Sequence, residues 1–112
     1  MDSRTRSGFL GVQFERLVEN RDLRSLVLDT PVARLTLTRH DNVVSCICEL
    51  QQPSDESLEA LRRRGAVEDM FMISPKLAPR EFGGWLDRLL IEDLNGDDEM
   101  DVRVLELEAL AS

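Results

Sequence analysis

The chain has 112 residues, enough for one domain around a single core, and its 42% hydrophobic content argues against disorder. It carries 22 acidic against 14 basic residues, a net charge of −8, which disfavours nucleic-acid and anionic-membrane partners because both are bound through Lys and Arg. No run approaches the about 18 apolar residues of a membrane span, and Gln13, Glu15 and Arg16 interrupt the N-terminal apolar stretch too soon for a signal peptide, so a cytoplasmic location is expected.

A first helix is expected near 8–20, capped by Ser7. Leu10, Phe14, Leu17 and Val18 recur at helical spacing, with Phe9 and Val12 widening the stripe. The phase slips at Arg21. Leu23, Leu26, Val27 and Leu28 then form a short element whose periodicity does not separate a helical turn from a strand, and Pro31 ends it. Ala33, Leu35 and Leu37 alternate with Arg34, Thr36 and Thr38, and Val44, Cys46, Cys48 and Leu50 share a face. With His40-Asp41-Asn42 as the turn, residues 32–50 read as an antiparallel hairpin. Cys46 and Cys48 lie two apart on one strand face, poor geometry for a mutual disulfide, and are expected to be buried free thiols.

A second helix is expected over 54–64, with Asp55 and Glu56 in its first turn, Arg62, Arg63 and Arg64 in its last, and Gly65 placed for the left-handed position after it. That arrangement accounts for the only run of arginines as helix-end charge complementarity. Met70-Phe71-Met72-Ile73 suits a strand near 69–73 buried on both faces, with an adaptable surface made by its two methionines as the alternative. A third helix begins near Pro79 and runs to about Glu92, with Phe82, Trp85, Leu86, Leu89 and Leu90 on one stripe. Gly83 and Gly84 inside it cost about 1 kcal/mol each relative to Ala, which points to close approach of another backbone. A last strand is expected near 101–108, although Met100 to Leu110 also fits a helix. The sum is one α+β domain spanning 1–112, a small, mainly antiparallel sheet covered by helices on one face.

Charge is the strongest functional signal. From Glu92 to Glu108 eight carboxylates face one base, Arg103, so this stretch carries −7 while the remainder is nearly neutral. Asp97, Asp98, Glu99 and Asp101 are therefore the expected contact residues for a partner protein with a basic surface. Residues 93–104 also resemble the twelve-residue calcium loop of EF-hand and dockerin-type proteins. Asp93, Asn95, Asp97, Glu99 and Asp101 occupy the oxygen-ligand positions and Met100 the eighth, but Asp98 replaces the turn glycine and Val104 the bidentate glutamate. His40 could pair with Cys46 or Cys48 as a nucleophile, and the three supply too few soft ligands for a zinc site. No phosphate loop, GxSxG or paired-carboxylate signature occurs, so no catalytic residue and no cofactor are expected.

The expected function is non-enzymatic: an adaptor, inhibitor, anti-activator or chaperone-like regulator, homodimeric because small sheets with open edges pair. A calcium-responsive module and a small ligand-binding domain or enzyme with its site between sheet and helices are the alternatives. In size and acidity the chain is similar to bacterial secretion chaperones and immunity proteins, but its order of elements matches no pattern that assigns a family.

Overall fold

In the computed structural model of the chain, residues 1–108 are described. Helix α1 spans Ser3–Glu19, one turn earlier than the Ser7 cap implies. The Asp2 carboxylate accepts from the Thr5 amide at 2.8 Å, so Asp2 is the cap, and the first turn is kept helical by Arg6, which is buried rather than solvated. That hydrogen bond holds the Asp2 carboxyl below its ordinary pKa.

Strands β1 (Leu23–Asp29), β2 (Ala33–Arg39), β3 (Val44–Leu50), β4 (Met70–Ile73) and β5 (Arg103–Glu108) form one sheet in the order β4-β3-β2-β1-β5, antiparallel throughout. The 32–50 hairpin and the last strand are as expected. Residues 23–29, undecided from periodicity, form a strand paired on both sides, by β2 and β5. Tertiary pairing resolves what the local pattern leaves open. The expectation that 69–73 is buried on both faces is corrected. β4 is an edge strand, and Met72 is 58% exposed.

Helix α2 (Asp55–Arg63) is capped by Ser54, whose hydroxyl accepts from the Ser57 amide at 3.1 Å while the Ser57 hydroxyl accepts from the Ser54 amide at 3.0 Å. Gly65 follows at φ 105°, a left-handed backbone that side chains disfavour. Helix α3 and the turn that continues it cover the expected span in two helical forms. The helix runs from Pro79 to Arg88 and passes into a π-helical turn, Leu89–Asp93, closed by the Leu94 amide donating to the Leu89 carbonyl at 3.0 Å. Helices α1 and α3 cross at very close range. A Cβ on Gly11 would stand 2.5 Å from the Pro79 carbonyl oxygen, and one on Gly83 would overlap the Ser7 carbonyl. The close approach expected of Gly83 is therefore found, whereas Gly84 meets only side-chain atoms at 3.6 Å or more.

All three helices contribute to one core with alternate strand residues: Leu26 and Leu28 of β1, Leu35 and Leu37 of β2, Val44, Cys46 and Cys48 of β3, and Phe71 of β4. Phe14 of α1 stacks on Phe82 of α3 with ring centroids 4.3 Å apart, and Phe71 meets Trp85 edge-on at 4.9 Å. The opposite sheet face lies outside this core.

Cys46 and Cys48 are free and buried, as expected. Burial pushes both thiols up, Cys48 to about 12 with Asp69 and Glu49 adding to the effect. A chromogenic disulfide reagent at pH 8 is therefore expected to find no reactive thiol in the native protein and two in denaturant. The sign of the alkaline response follows. The unfolded chain releases thiol protons near the ordinary value of 9.0 while the folded chain keeps them, so stability is unaffected below that pH and falls above it.

Candidate acidic interaction site

The loop between the π turn and β5 is built by backbone closures. Asn95 adopts φ 58°, and the Gly96 amide donates to the Leu90 carbonyl at 2.8 Å. A Cβ on Gly96 would lie 2.8 Å from that same carbonyl, so the turn requires glycine. The Asp97 carboxylate accepts from the Glu99 amide at 2.8 Å, and its carbonyl accepts from the Met100 amide at 3.0 Å. Met100 itself is buried and plugs the loop onto the core.

Beneath the loop sits Arg6, 0% exposed. Its Nε donates to Asp87 Oδ1 at 2.6 Å, and one terminal nitrogen donates to the carbonyls of Met1, Asp98 and Met100 at 2.7, 2.9 and 3.2 Å. The Ser3 hydroxyl donates to the other oxygen of Asp87. One guanidinium thus ties α1, α3 and the loop backbone together. Sequence reading passed over Arg6. The available signal was its place on the α1 stripe, since 6, 10, 14 and 17 continue one helical face and a charge there must be buried and paired.

The acidic stretch divides in two. Asp93 and Glu92 pair with Arg64, the Glu92 contact at 3.8 Å, and Glu106 pairs with Arg16 of α1. Those carboxylates are neutralised on the body, which corrects the picture of a uniformly projecting acidic end. Asp97, Asp98 and Glu99 remain exposed, and among the described residues no arginine pairs with them. Asp101, also exposed, accepts from the N-terminal ammonium at 3.1 Å. The four expected contact residues are thus brought to one loop; none is paired by arginine among the described residues, and Glu99 and Asp101 lie 4.0 and 3.1 Å from the N-terminal ammonium.

The positions matching the calcium loop do not converge. Asp93 is held by Arg64 and Asp101 by the chain terminus, and Val104 lies in the β5 segment. Among the described residues no group of three His, Cys, Asp or Glu is placed to hold a metal ion. His40 Nε2 lies 3.1 Å from Ser45 Oγ, and Ser45 faces away from the core that holds Cys46 and Cys48, so His40 is not brought to either thiol. The space between sheet and helices is filled by Leu10, Phe14, Leu35, Phe82 and Leu86. A shallow depression of ≈ 630 Å³ lies instead at the end of the sheet, lined by Asp29, Thr30, Pro31, Asp97, Met100 and Asp101. No described helix is long and apolar enough to cross a membrane. Comparison with family models, curated proteins and solved structures found no match to this chain.

Proposed function

We propose that this chain is a non-enzymatic interaction module, an adaptor, inhibitor or chaperone-like regulator, that binds a basic surface of a partner protein through Asp97, Asp98 and Glu99, with Asp101 at the margin. The observation that carries the reading is the pairing of exposed carboxylates with a pinned backbone. Four acidic side chains stand in solvent without an arginine partner among the described residues, Glu99 and Asp101 sharing the N-terminal ammonium, while the carbonyls of Asp98 and Met100 are clamped by buried Arg6. A clamped loop loses little conformational entropy when a partner docks, and the excess negative charge of four carboxylates around one ammonium steers a cationic partner toward it. The solvated carboxylates of Asp98 and Glu99 are not needed for folding, because the loop is held by its backbone bonds, the Asp97–Glu99 turn and the Arg6 clamp.

The test is quantitative partner capture with the native chain and with a D97K/D98K/E99K variant, at low and at high salt. The variant is expected to fold with unchanged circular dichroism, since Asp98 and Glu99 are solvated and the one exposed hydrogen bond lost from the Asp97 carboxylate belongs to a loop that backbone bonds and Arg6 also hold. It is expected to lose captured partners at least about tenfold, and the native chain is expected to lose them as salt rises. An identical set of partners for both chains at all salt concentrations would leave the loop as a solubility device.

A further inference from the structure

We infer that the sheet face left uncovered by the described residues is a homodimer interface, in which two copies pack face to face about a two-fold axis parallel to the strands and passing between β1 and β2. The surface is distinct from the acidic loop, and the inference does not depend on the function proposed for that loop.

The inference starts from composition. The strand residues that point away from the core fall into cross-strand rows set by the register. One row reads Leu105, Val27, Thr36, Ile47 and Met70 across β5, β1, β2, β3 and β4. Leu105 is 48% exposed, and Val27, Ile47 and Met70 are half-buried without belonging to the core or packing on it. The next row contains Ser25, Thr38, Ser45 and Met72, small polar residues ending in an exposed methionine. A solvated antiparallel face alternates polar-out with apolar-in. Here the apolar residues stand on both sides of the sheet, which is the pattern of a sheet packed on both faces.

Charge selects the occupant. The row on the other side of the apolar one reads Arg103, Asp29, Arg34 and Glu49 across β5, β1, β2 and β3. Its signs run plus, minus, plus, minus over an even number of strands, so the row is antisymmetric about its midpoint. A two-fold axis at that midpoint, parallel to the strands, reverses strand order while keeping each row level. Arg103 then opposes Glu49 of the second copy and Asp29 opposes Arg34, each pair occurring twice as an isologous interface requires. Moving the axis by half a strand spacing, onto β1 or β2, sets Asp29 or Arg34 against itself. The same operation lays Leu105 on Ile47 and Val27 on Thr36, so the apolar row closes with the charged one. Sheets packed in this aligned way lie about 10 Å apart and tilt by about 30°, a gap that paired Arg and carboxylate side chains span.

Size places the association in a class. Four overlapping strands at about 4.8 Å spacing and six or seven residues at about 3.3 Å cover about 400 Å² of flat area per copy, about 800 Å² for the pair before side-chain relief is counted. That sits near the roughly 1,000 Å² lower bound of specific interfaces, so the dimer is weak and concentration-dependent. Because the axis runs along the strands, both acidic loops emerge at the same end of the dimer.

The test is mass determination by light scattering after size exclusion, over micromolar to sub-millimolar concentration. The native chain is expected to move from monomer to dimer across that range. D29R and R34E each place like charges opposite one another twice and are expected to raise the dissociation constant on the order of 100-fold, leaving monomers. Both are expected to fold, because the Asp29–Arg34 pair within one chain is exposed, at 3.4 Å, and such pairs contribute little. The doubly reversed D29R/R34E chain restores every opposed pair and is expected to dimerise. An equimolar mixture of the two single variants is also complementary at all four positions and is expected to form heterodimers, which no contact within a single chain can produce. A native chain that stays monomeric throughout, association unchanged by both single reversals, or a mixture that stays monomeric would each overturn the proposal. Association abolished by Leu105→Pro on the β5 edge but indifferent to the charge reversals would overturn it in favour of edge-strand pairing.

Discussion

Replacing Arg6 by alanine is expected to cost about 3–5 kcal/mol, the loss found when one partner of a buried ion pair is removed. Against a typical total stability of about 5–15 kcal/mol that is a large fraction, so equilibrium urea unfolding will register it as a fall in midpoint of more than 1 M at an m-value of about 2 kcal/mol per M. The cost has two sources. Asp87, 5% exposed on α3, is left as an uncompensated charge with only the Ser3 hydroxyl on it. The carbonyls of Met1, Asp98 and Met100 lose their donor where water has little access. Arg6→Lys keeps the charge but lacks the planar fork that reaches Asp87 and the carbonyls together, so it recovers only part of the loss. The double variant Arg6→Met/Asp87→Leu removes both charges and is expected to recover most of it. One terminal nitrogen of Arg6, Nη2, makes no hydrogen bond among the described residues, so the native pair is itself incompletely satisfied. Amide exchange would separate the two sources: in the double variant the core amides regain protection while those of 97–101 stay fast. A midpoint for Arg6→Ala within a few tenths of a molar of the native value would show that the clamp does not support the fold.

The second large effect is a reversal of sign between adjacent glycines. Alanine at Gly83 gains about 1 kcal/mol of helix propensity but places its Cβ on the Ser7 carbonyl and 3.0 Å from the Gly11 amide nitrogen, both backbone atoms of α1. Neither can yield without separating the helices, whose contact also includes the Phe14–Phe82 stack. A net destabilisation of about 1–3 kcal/mol is expected, as for overpacking in a filled core. Alanine at Gly84 meets nothing nearer than the end of the exposed Arg88 side chain at 3.6 Å and is expected to stabilise by up to about 1 kcal/mol. Thermal unfolding of the two variants side by side checks the pair: opposite shifts in Tm are required, and shifts of the same sign would remove the close crossing as the reason for Gly83.

What could be read before the fold was seen depended on how locally each feature is specified. The 32–50 hairpin was legible because strict alternation and a polar turn leave few competing arrangements. Helix α2 was legible because its cap, its end charges and Gly65 act within one or two turns. The last strand was also expected, and the alternative helical reading of its end extends into 109–112, beyond the described residues. Segment 23–29 was not decidable, since its apolar residues fit two periods and only pairing with β2 and β5 distinguishes them. β4 was misjudged as a fully buried strand because an apolar run of four carries no information about whether it ends the sheet.

The candidate sites follow the same division. The concentration of carboxylates over 92–108 is a property of composition, and so the expected contact residues 97, 98, 99 and 101 were available from the amino acids alone. Which of those carboxylates remain in solvent was not, because Arg64 and Arg16 reach Asp93 and Glu106 from segments 29 and 90 residues distant in the chain. Arg6 meets Asp87, Asp98 and Met100 from 81 to 94 residues away, and the charged row on the open sheet face exists only once four strands are in register. The sequence by itself determined the α+β class, the hairpin, the ends of helix α2 and the location of negative charge, all set by neighbours within a few residues. The tertiary structure alone decided strand order, the burial of Arg6 and the alignment of the outer-face rows, because each depends on groups that loop closure brings together across most of the chain.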